Sequence, residues 1–141
     1  MIIETTTKLS SDRQLLPGHG ELILVADDDD SIRETTKFCL EENGYKVLEA
    51  NDGMDAIALY TKHQPEISAL LIDMMMPSID GPTTINILQK INPDIKIIGV
   101  SGLPSNHQMI KILGNSIKTF LSKPYTSSDL LANLQIVLNT K

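Results

Sequence analysis

The sequence predicts a doubly wound α/β sandwich, and three observations carry that expectation. From Glu21 onward, short apolar runs of strand length alternate with longer segments of helical pattern. The runs are apolar on consecutive positions, as in Ile23-Leu24-Val25-Ala26 and Ala69-Leu70-Leu71-Ile72, which suits parallel strands covered on both faces by helices. Acids, a serine and a lysine stand where these runs end, and open parallel sheets collect functional groups at the carboxyl ends of their strands.

The elements follow in order. Residues 1–20 hold a Thr/Ser run and a Pro17-Gly18-His19-Gly20 break with little apolar periodicity, and read as a flexible linker; residues 21–141 read as one domain. The first strand, 22–26, runs into Asp27-Asp28-Asp29-Asp30. A helix over 31–43 is marked by Ile32, Phe38 and Leu40; the acids before it suit the dipole at its start, and Gly44 terminates it. Cys39 sits between Phe38 and Leu40 and is expected in the core. A strand over 46–50 leads to a helix over 53–63 carrying Ala56, Ile57 and Leu59. The third strand, 67–72, closes on Asp73, followed by Met74-Met75-Met76-Pro77 and a turn at Asp80-Gly81. A helix over 81–91 carries Ile85, Ile87 and Leu88; a strand over 95–100 ends at Ser101; a helix spans 105–114. The last pair is a strand over 117–121, ending in Ser122-Lys123-Pro124, and a helix over 126–139.

Bulk properties narrow the function. A chain of 141 residues with 41% hydrophobic content suits one domain with a single core. A net charge of -6 and a pI near 4.9 argue against direct nucleic-acid binding, which needs clustered Lys and Arg. No apolar stretch approaches the roughly 20 residues of a membrane span, and no signal-peptide layout opens the chain, so a cytoplasmic location without membrane contact is expected. The single cysteine excludes an internal disulfide, and His19, His63 and His107 lack ligand spacing. Three successive methionines point in different directions, so packing and loop lining explain them better than a soft-metal site.

On this frame Asp27, Asp28, Asp73, Ser101 and Lys123 converge on one crevice. Carboxylates about 4 to 5 Å apart repel by roughly 3 to 4 kcal/mol at an effective dielectric near 20, so three together call for a cation. Mg²⁺ suits: it takes oxygen ligands, uses one or two carboxylates and shares its remaining positions with water and phosphate. Lys123 offers a point charge to a phosphoryl oxygen and Ser101 a hydroxyl. A carboxylate beside such groups can accept a phosphoryl group as an acyl phosphate, with catalysis by in-line positioning and charge neutralisation. Proline after Lys123 admits a cis bond and a tight turn that aims the lysine across the strand ends. Singly, a strand-end aspartate is more often a cap or turn former and a Lys-Pro just a turn; their conjunction reverses that balance.

These segments resemble the response-regulator receiver domain of two-component signalling, from Glu21 to about Asn139. Ile23-Leu24-Val25-Ala26-Asp27-Asp28 matches the acid pair, Leu71-Ile72-Asp73-Met74-Met75-Met76-Pro77 the phosphoacceptor segment, Val100-Ser101-Gly102 the hydroxyl switch, and Ser122-Lys123-Pro124 the lysine and cis-proline. The resemblance implies a (βα)5 flavodoxin-like sandwich with parallel strand order 2-1-3-4-5. It implies phosphorylation of Asp73 and Mg²⁺, or Mn²⁺ in its place, held by Asp28 directly, Asp27 through water, Asp73 and the backbone carbonyl of Met75. Ser101 and Lys123 would hold phosphoryl oxygens, Phe120 would be the aromatic switch, and Pro124 the cis-proline. The implied partners are a sensor histidine kinase, a histidine phosphotransfer protein or both, with phosphorylation-dependent self-association as a further expectation; such a domain assists its own phosphorylation and dephosphorylation and is not an enzyme in the ordinary sense.

Departures from the family pattern are informative. Asp29 and Asp30 stand where the family often has Glu and Pro. Phe120 replaces the commoner tyrosine and cannot hydrogen-bond when exposed. Met75 and Leu103, two residues after Asp73 and Ser101, are apolar where the family uses polar side chains to orient the hydrolytic water, so a long-lived acyl phosphate is expected. The 15–21 lead-in, with Val100-Ser101-Gly102-Leu103-Pro104-Ser105-Asn106 and Ser122-Lys123-Pro124-Tyr125-Thr126, looks like receivers at the C-terminal end of hybrid sensor histidine kinases. With nothing after the last helix, the chain reads as a stand-alone receiver or as part of such a kinase. Three rivals fit less well. An aspartate-nucleophile phosphatase of the haloacid dehalogenase type lacks its second acidic pair and room for a cap. A degenerate, unphosphorylated interaction module would have lost a key residue. A flavodoxin-like FMN carrier would set phosphate against four carboxylates.

Overall fold

The computed structural model describes residues 16–102, 117 and 119–139. The elements are β1 (Leu22–Ala26), α1 (Asp30–Glu42), β2 (Lys46–Ala50), α2 (Gly53–His63), a 3₁₀ turn (Gln64–Glu66), β3 (Ile67–Asp73), α3 (Gly81–Ile91), β4 (Ile97–Ser101), β5 (Thr119–Ser122) and α4 (Ser127–Asn139). The five strands form one parallel sheet in the order β2-β1-β3-β4-β5, the order the resemblance implies. The helix expected over 105–114 lies outside the described residues, as do residues 1–15 of the N-terminal segment.

In place of the single core expected, consecutive apolar residues serve two, one on each face of the sheet, because successive strand side chains face opposite sides. Leu24, Ala26, Leu70, Ile72 and Ile97 pack with Ala56 and Tyr60 of α2 and Ile85 and Leu88 of α3. Ile23, Val25, Leu71, Ile98 and Val100 pack on the other face with Leu40 of α1 and Leu130, Leu134 and Val137 of α4. Each buried Leu, Ile or Val among them contributes roughly 1.5–3 kcal/mol on leaving water.

Helix starts are fixed by aspartates that accept from backbone amides of the first turn: Asp29 from Ile32, Asp52 from Asp55 and Asp80 from Thr83. At the other end of α1, Gly44 turns the chain at φ +89°, a conformation disfavoured for other residues.

Several boundaries and placements differ from the expectation. Strand β4 begins at Ile97 because the Ile95 amide closes a turn on the Asn92 carbonyl, and β5 begins at Thr119. Asp73 is the last residue of β3, paired in register with Val100. Phe38 is 67% exposed: Thr36 and Leu40, four apart, take the buried face of α1, and Phe38 between them points away. Cys39 is half-buried at the rim of a core, since that face is already occupied. Residues 16–20 fall in the segment read as a linker, yet Gly18 and Gly20 donate to the carbonyls of Asn43 and Gly44 at 2.7 and 2.8 Å. Among the described residues no helix is long and apolar enough to cross a membrane.

Candidate functional site

The chain reverses its direction of travel across the sheet at β1, whose neighbours are β2 and β3, and the crevice beyond the carboxyl ends of β1 and β3 is where such sheets bind. Asp27 follows β1, and Asp73 ends β3. Both are nearly inaccessible, at 4% and 5% exposure, whereas Asp28 is exposed. Carboxylate oxygens of Asp27, Asp28 and Asp73 lie within 4.8 Å of one another.

Every polar group of Asp27 is held. Its amide continues the sheet to the Ala50 carbonyl at 3.1 Å, and its Oδ1 accepts from the Asp29 amide at 2.9 Å. Its carbonyl accepts from Arg33 Nη1 at 2.6 Å, and its Oδ2 is 3.0 Å from Lys123 Nζ. Asp73 mirrors this arrangement: Oδ1 accepts from the Met75 amide at 3.0 Å, and Oδ2 accepts from Lys123 Nζ at 3.0 Å. Helix α3 closes the site from below. A Cβ on Gly81 would stand 2.6 Å from Met74 Cα and 2.9 Å from the Asp73 carbonyl, so a glycine is required there for α3 to lie against the acid-bearing strand end.

Lys123 reaches both acids from the β5 end. Its amide donates to the Ser101 carbonyl at 2.9 Å, Ser101 pairs in register with Ser122, and the Lys123–Pro124 peptide is cis. Ser101 itself is fully buried. Tyr125 continues the loop, and its hydroxyl meets Thr36 Oγ1 of α1 at 2.6 Å. Phe120 is half-buried and packs into the α2/α3 core; it pairs in register with Gly99, where a Cβ would come within 2.8 Å of the ring. Of the three methionines, Met74 and Met76 are buried and Met75 is exposed. Leu103 lies outside the described residues.

Charge does not balance at this site. Burial raises the Asp73 carboxyl above its ordinary value; the Met75 amide and Lys123 oppose that shift, and the Asp27 charge adds to it. Burial alone would lower the Lys123 ammonium, but its bonds to Asp27 and Asp73 outweigh it and hold it above its ordinary value. Three carboxylates against one ammonium leave an excess of two negative charges. The all-oxygen donor set and that charge fit one hard divalent cation.

Asp27, Asp28, Asp73 and Lys123, all singled out from sequence, therefore meet in one place, with Ser101 on the adjoining strand end. Sequence reasoning missed Arg33, which holds the Asp27 carbonyl, and the Thr36–Tyr125 hydrogen bond that ties α1 to the lysine loop. Only Arg33 left a trace in sequence: it lies one turn after the Asp29 cap, on the side of α1 that faces the acids.

Known proteins agree with this geometry. A family model described as "Response regulator receiver domain" matches residues 23–135. The response regulator MprA of Mycobacterium leprae (strain TN) is 33% identical over 116 residues, 82% of this chain and 50% of that protein, so the chain spans about half the length of the curated relatives it matches. Among solved structures, the receiver domain of the hybrid histidine kinase CckA is 29% identical at a TM-score of 0.72, covering 84% of this chain and 99% of that one. A chain of the CheX-CheY-BeF3-Mg complex of Borrelia burgdorferi is 25% identical at a TM-score of 0.79, covering 84% and 90%.

Proposed function

The chain belongs to the response regulator receiver domain family of two-component signalling, and from that premise we propose that it is a phosphorylation-controlled switch whose acceptor is Asp73. The observation that carries this reading is the sharing of Lys123 by two buried carboxylates at 3.0 Å each, beside a third acid. Such a site is incomplete until a divalent cation and an anionic group enter together.

Bound Mg²⁺, held by Asp27, Asp28, Asp73 and the Met75 carbonyl, would neutralise the acids and polarise the phosphoryl oxygens. An Asp73 carboxylate oxygen attacks the phosphorus of a phosphohistidine; the new O–P bond forms as the N–P bond breaks, and the imidazole nitrogen leaves with its electron pair. Lys123 moves its Nζ from Asp73 Oδ2 to a phosphoryl oxygen, and the Ser101 hydroxyl donates to another. Phe120 reports the change by repacking from its seat on Gly99, where the ring already fills the room a side chain would take. The domain assists its own phosphorylation and dephosphorylation in this way. Met75 is exposed and apolar beside the acceptor, so it offers no hydrogen bond to a hydrolytic water and the acyl phosphate is long-lived.

The partners are a sensor histidine kinase, a histidine phosphotransfer protein or both, and the location is the cytoplasm. The likeness to the CckA receiver fits a setting within a hybrid kinase, and the likeness to CheY fits a stand-alone regulator. Acetyl phosphate with Mg²⁺ tests the central claim. Borohydride trapping is expected to label Asp73 in the native chain and to label nothing in Asp73→Asn; equal labelling of both, or a label on Asp27, refutes the assignment.

A further inference from the structure

Arg33 supplies no oxygen to a cation and does not touch Asp73, yet its side chain is only 13% exposed, packed beside the acid loop. Each of its nitrogens has a separate partner. Nη1 donates to the Asp27 carbonyl at 2.6 Å, Nη2 to Asp30 Oδ1 at 2.6 Å, and Nε lies 3.4 Å from Glu49 Oε1 on β2. The second oxygen of Glu49 accepts from Lys37 at 3.2 Å, so Glu49 is itself fixed between two cations of α1.

The position of the Asp27 carbonyl matters because it belongs to the peptide that leads into Asp28. The Asp27 side chain is oriented by the Asp29 amide and Lys123. Asp28 has no such help: it is exposed, and among the described residues none hydrogen-bonds its carboxylate. The direction of the Asp28 side chain is therefore set by its own backbone, whose preceding peptide is anchored by Arg33. A planar fork with donors on three sides is what this task needs; an ammonium on a flexible stem can satisfy one or two of the partners but cannot hold all three in fixed directions.

We propose that Arg33, oriented by Glu49, is a positioning residue for the cation site: it fixes the 27–28 peptide and so pre-aims Asp28 beside Asp27 and Asp73. This rests on the receiver reading above. Side chains that orient metal ligands from behind typically change metal affinity by about 10- to 100-fold when removed.

The test titrates the full chain with Mg²⁺ alone by calorimetry, at a temperature where urea unfolding shows each variant folded. Arg33→Met is expected to weaken binding about tenfold, Arg33→Lys by less, and Glu49→Gln in the same direction by about threefold. Under acetyl phosphate, the Mg²⁺ concentration giving half-maximal phosphorylation of Arg33→Met rises by the same factor, while the rate at saturating Mg²⁺ returns towards that of the native chain. A merely structural role would not produce that split. Native-like Mg²⁺ affinity in folded Arg33→Met overturns the proposal while leaving the receiver reading intact. Should that variant fail to fold, native-like affinity in Glu49→Gln overturns it equally. A native chain that binds no Mg²⁺ and accepts no phosphoryl group overturns the receiver reading, and this proposal with it.

Discussion

At the amino end of the sheet, buried Tyr60 of α2 accepts a hydrogen bond from Asn92 Nδ2 at 2.9 Å, while Asn92 Oδ1 accepts from the Asp94 amide at 3.0 Å. The Asn92 backbone is also spent, its amide on the Leu88 carbonyl and its carbonyl on the Ile95 amide. At the carboxyl end, Asp27 and Asp73 are as deeply buried but share a single lysine, with Asp28 close by. One end is neutral and satisfied, the other charged and two positive charges short. The first holds the fold closed, and the second keeps a demand that only a ligand can meet. Substitution should accordingly differ between the two ends: a small loss of stability at the first, and at the second a change whose sign depends on whether the positive charge or a negative one is removed.

Removing Lys123 breaks the comparison most severely. In Lys123→Met without metal, two buried carboxylates lose their counter-charge, at a cost of about 3 kcal/mol in urea unfolding. Mg²⁺ should then restore more stability than it adds to the native chain, since the site has become more negative by one charge. The sign with pH follows from the raised Lys123 value. Its contribution is fully present below the ordinary lysine value of 10.5 and is lost as pH rises through the higher folded value. If Lys123→Met were as stable as the native chain in metal-free buffer, the carboxyl end would not be under electrostatic strain.

Next in size is the lifetime of the phosphorylated state. Met75, on the rim of the carboxyl end, carries an exposed apolar side chain where a polar one could hold water against the acyl phosphate. Met75→Asn together with Leu103→Glu is expected to speed decay about tenfold, equivalent to about 1.4 kcal/mol of barrier. Unchanged decay of the trapped phosphoprotein would show that these two positions do not set the lifetime.

A smaller effect has the opposite sign to most substitutions of buried residues. The Asp73 carboxyl stands above its ordinary value because burial and the Asp27 charge outweigh the Met75 amide and Lys123. A carboxyl raised on folding stabilises the fold in its protonated form, and that contribution disappears as pH rises through the folded value. Asp73→Asn should therefore be more stable than the native chain at neutral pH without metal, by on the order of 1 kcal/mol, or a few degrees in Tm. The difference should vanish below the ordinary value of 3.8. A lower Tm for Asp73→Asn at pH 7 would mean that Lys123 fully compensates the buried charge.

How much of this could be read from sequence depends on whether a feature is local. Runs such as Leu70-Leu71-Ile72 report burial on both faces directly, and an acid just past such a run is placed by the strand that carries it. The order of the strands came from family resemblance, because apolar runs do not say which neighbours they choose. Features that depend on distant segments meeting were invisible: Thr36 and Tyr125 are 89 residues apart, and Arg33 finds Glu49 on another element. Phe38 is misleading because a bulky apolar residue on a helix suggests a core face, whereas Thr36 and Leu40, four apart, occupy that face. The same limit hid the amino end, since nothing near Tyr60 announces a partner 32 residues on.

The smallest effect tests that satisfied end. Tyr60→Phe keeps the buried ring and deletes only the hydroxyl, so the Asn92 side-chain amide loses its acceptor. Asn92 lies at the mouth of a cleft of about 90 Å³ that also exposes Ser68 and Asp94, where water can replace part of the lost bond. The cost should then be about 0.5–1 kcal/mol, the net worth of one neutral hydrogen bond, and less than that of a fully buried orphan. Calorimetric Mg²⁺ affinity and acetyl-phosphate labelling should be unchanged in the same variant, because α2 supplies nothing to the acid loop. A change in Mg²⁺ affinity beyond twofold would mean that the two ends communicate through β3, and the division of labour between them would fail.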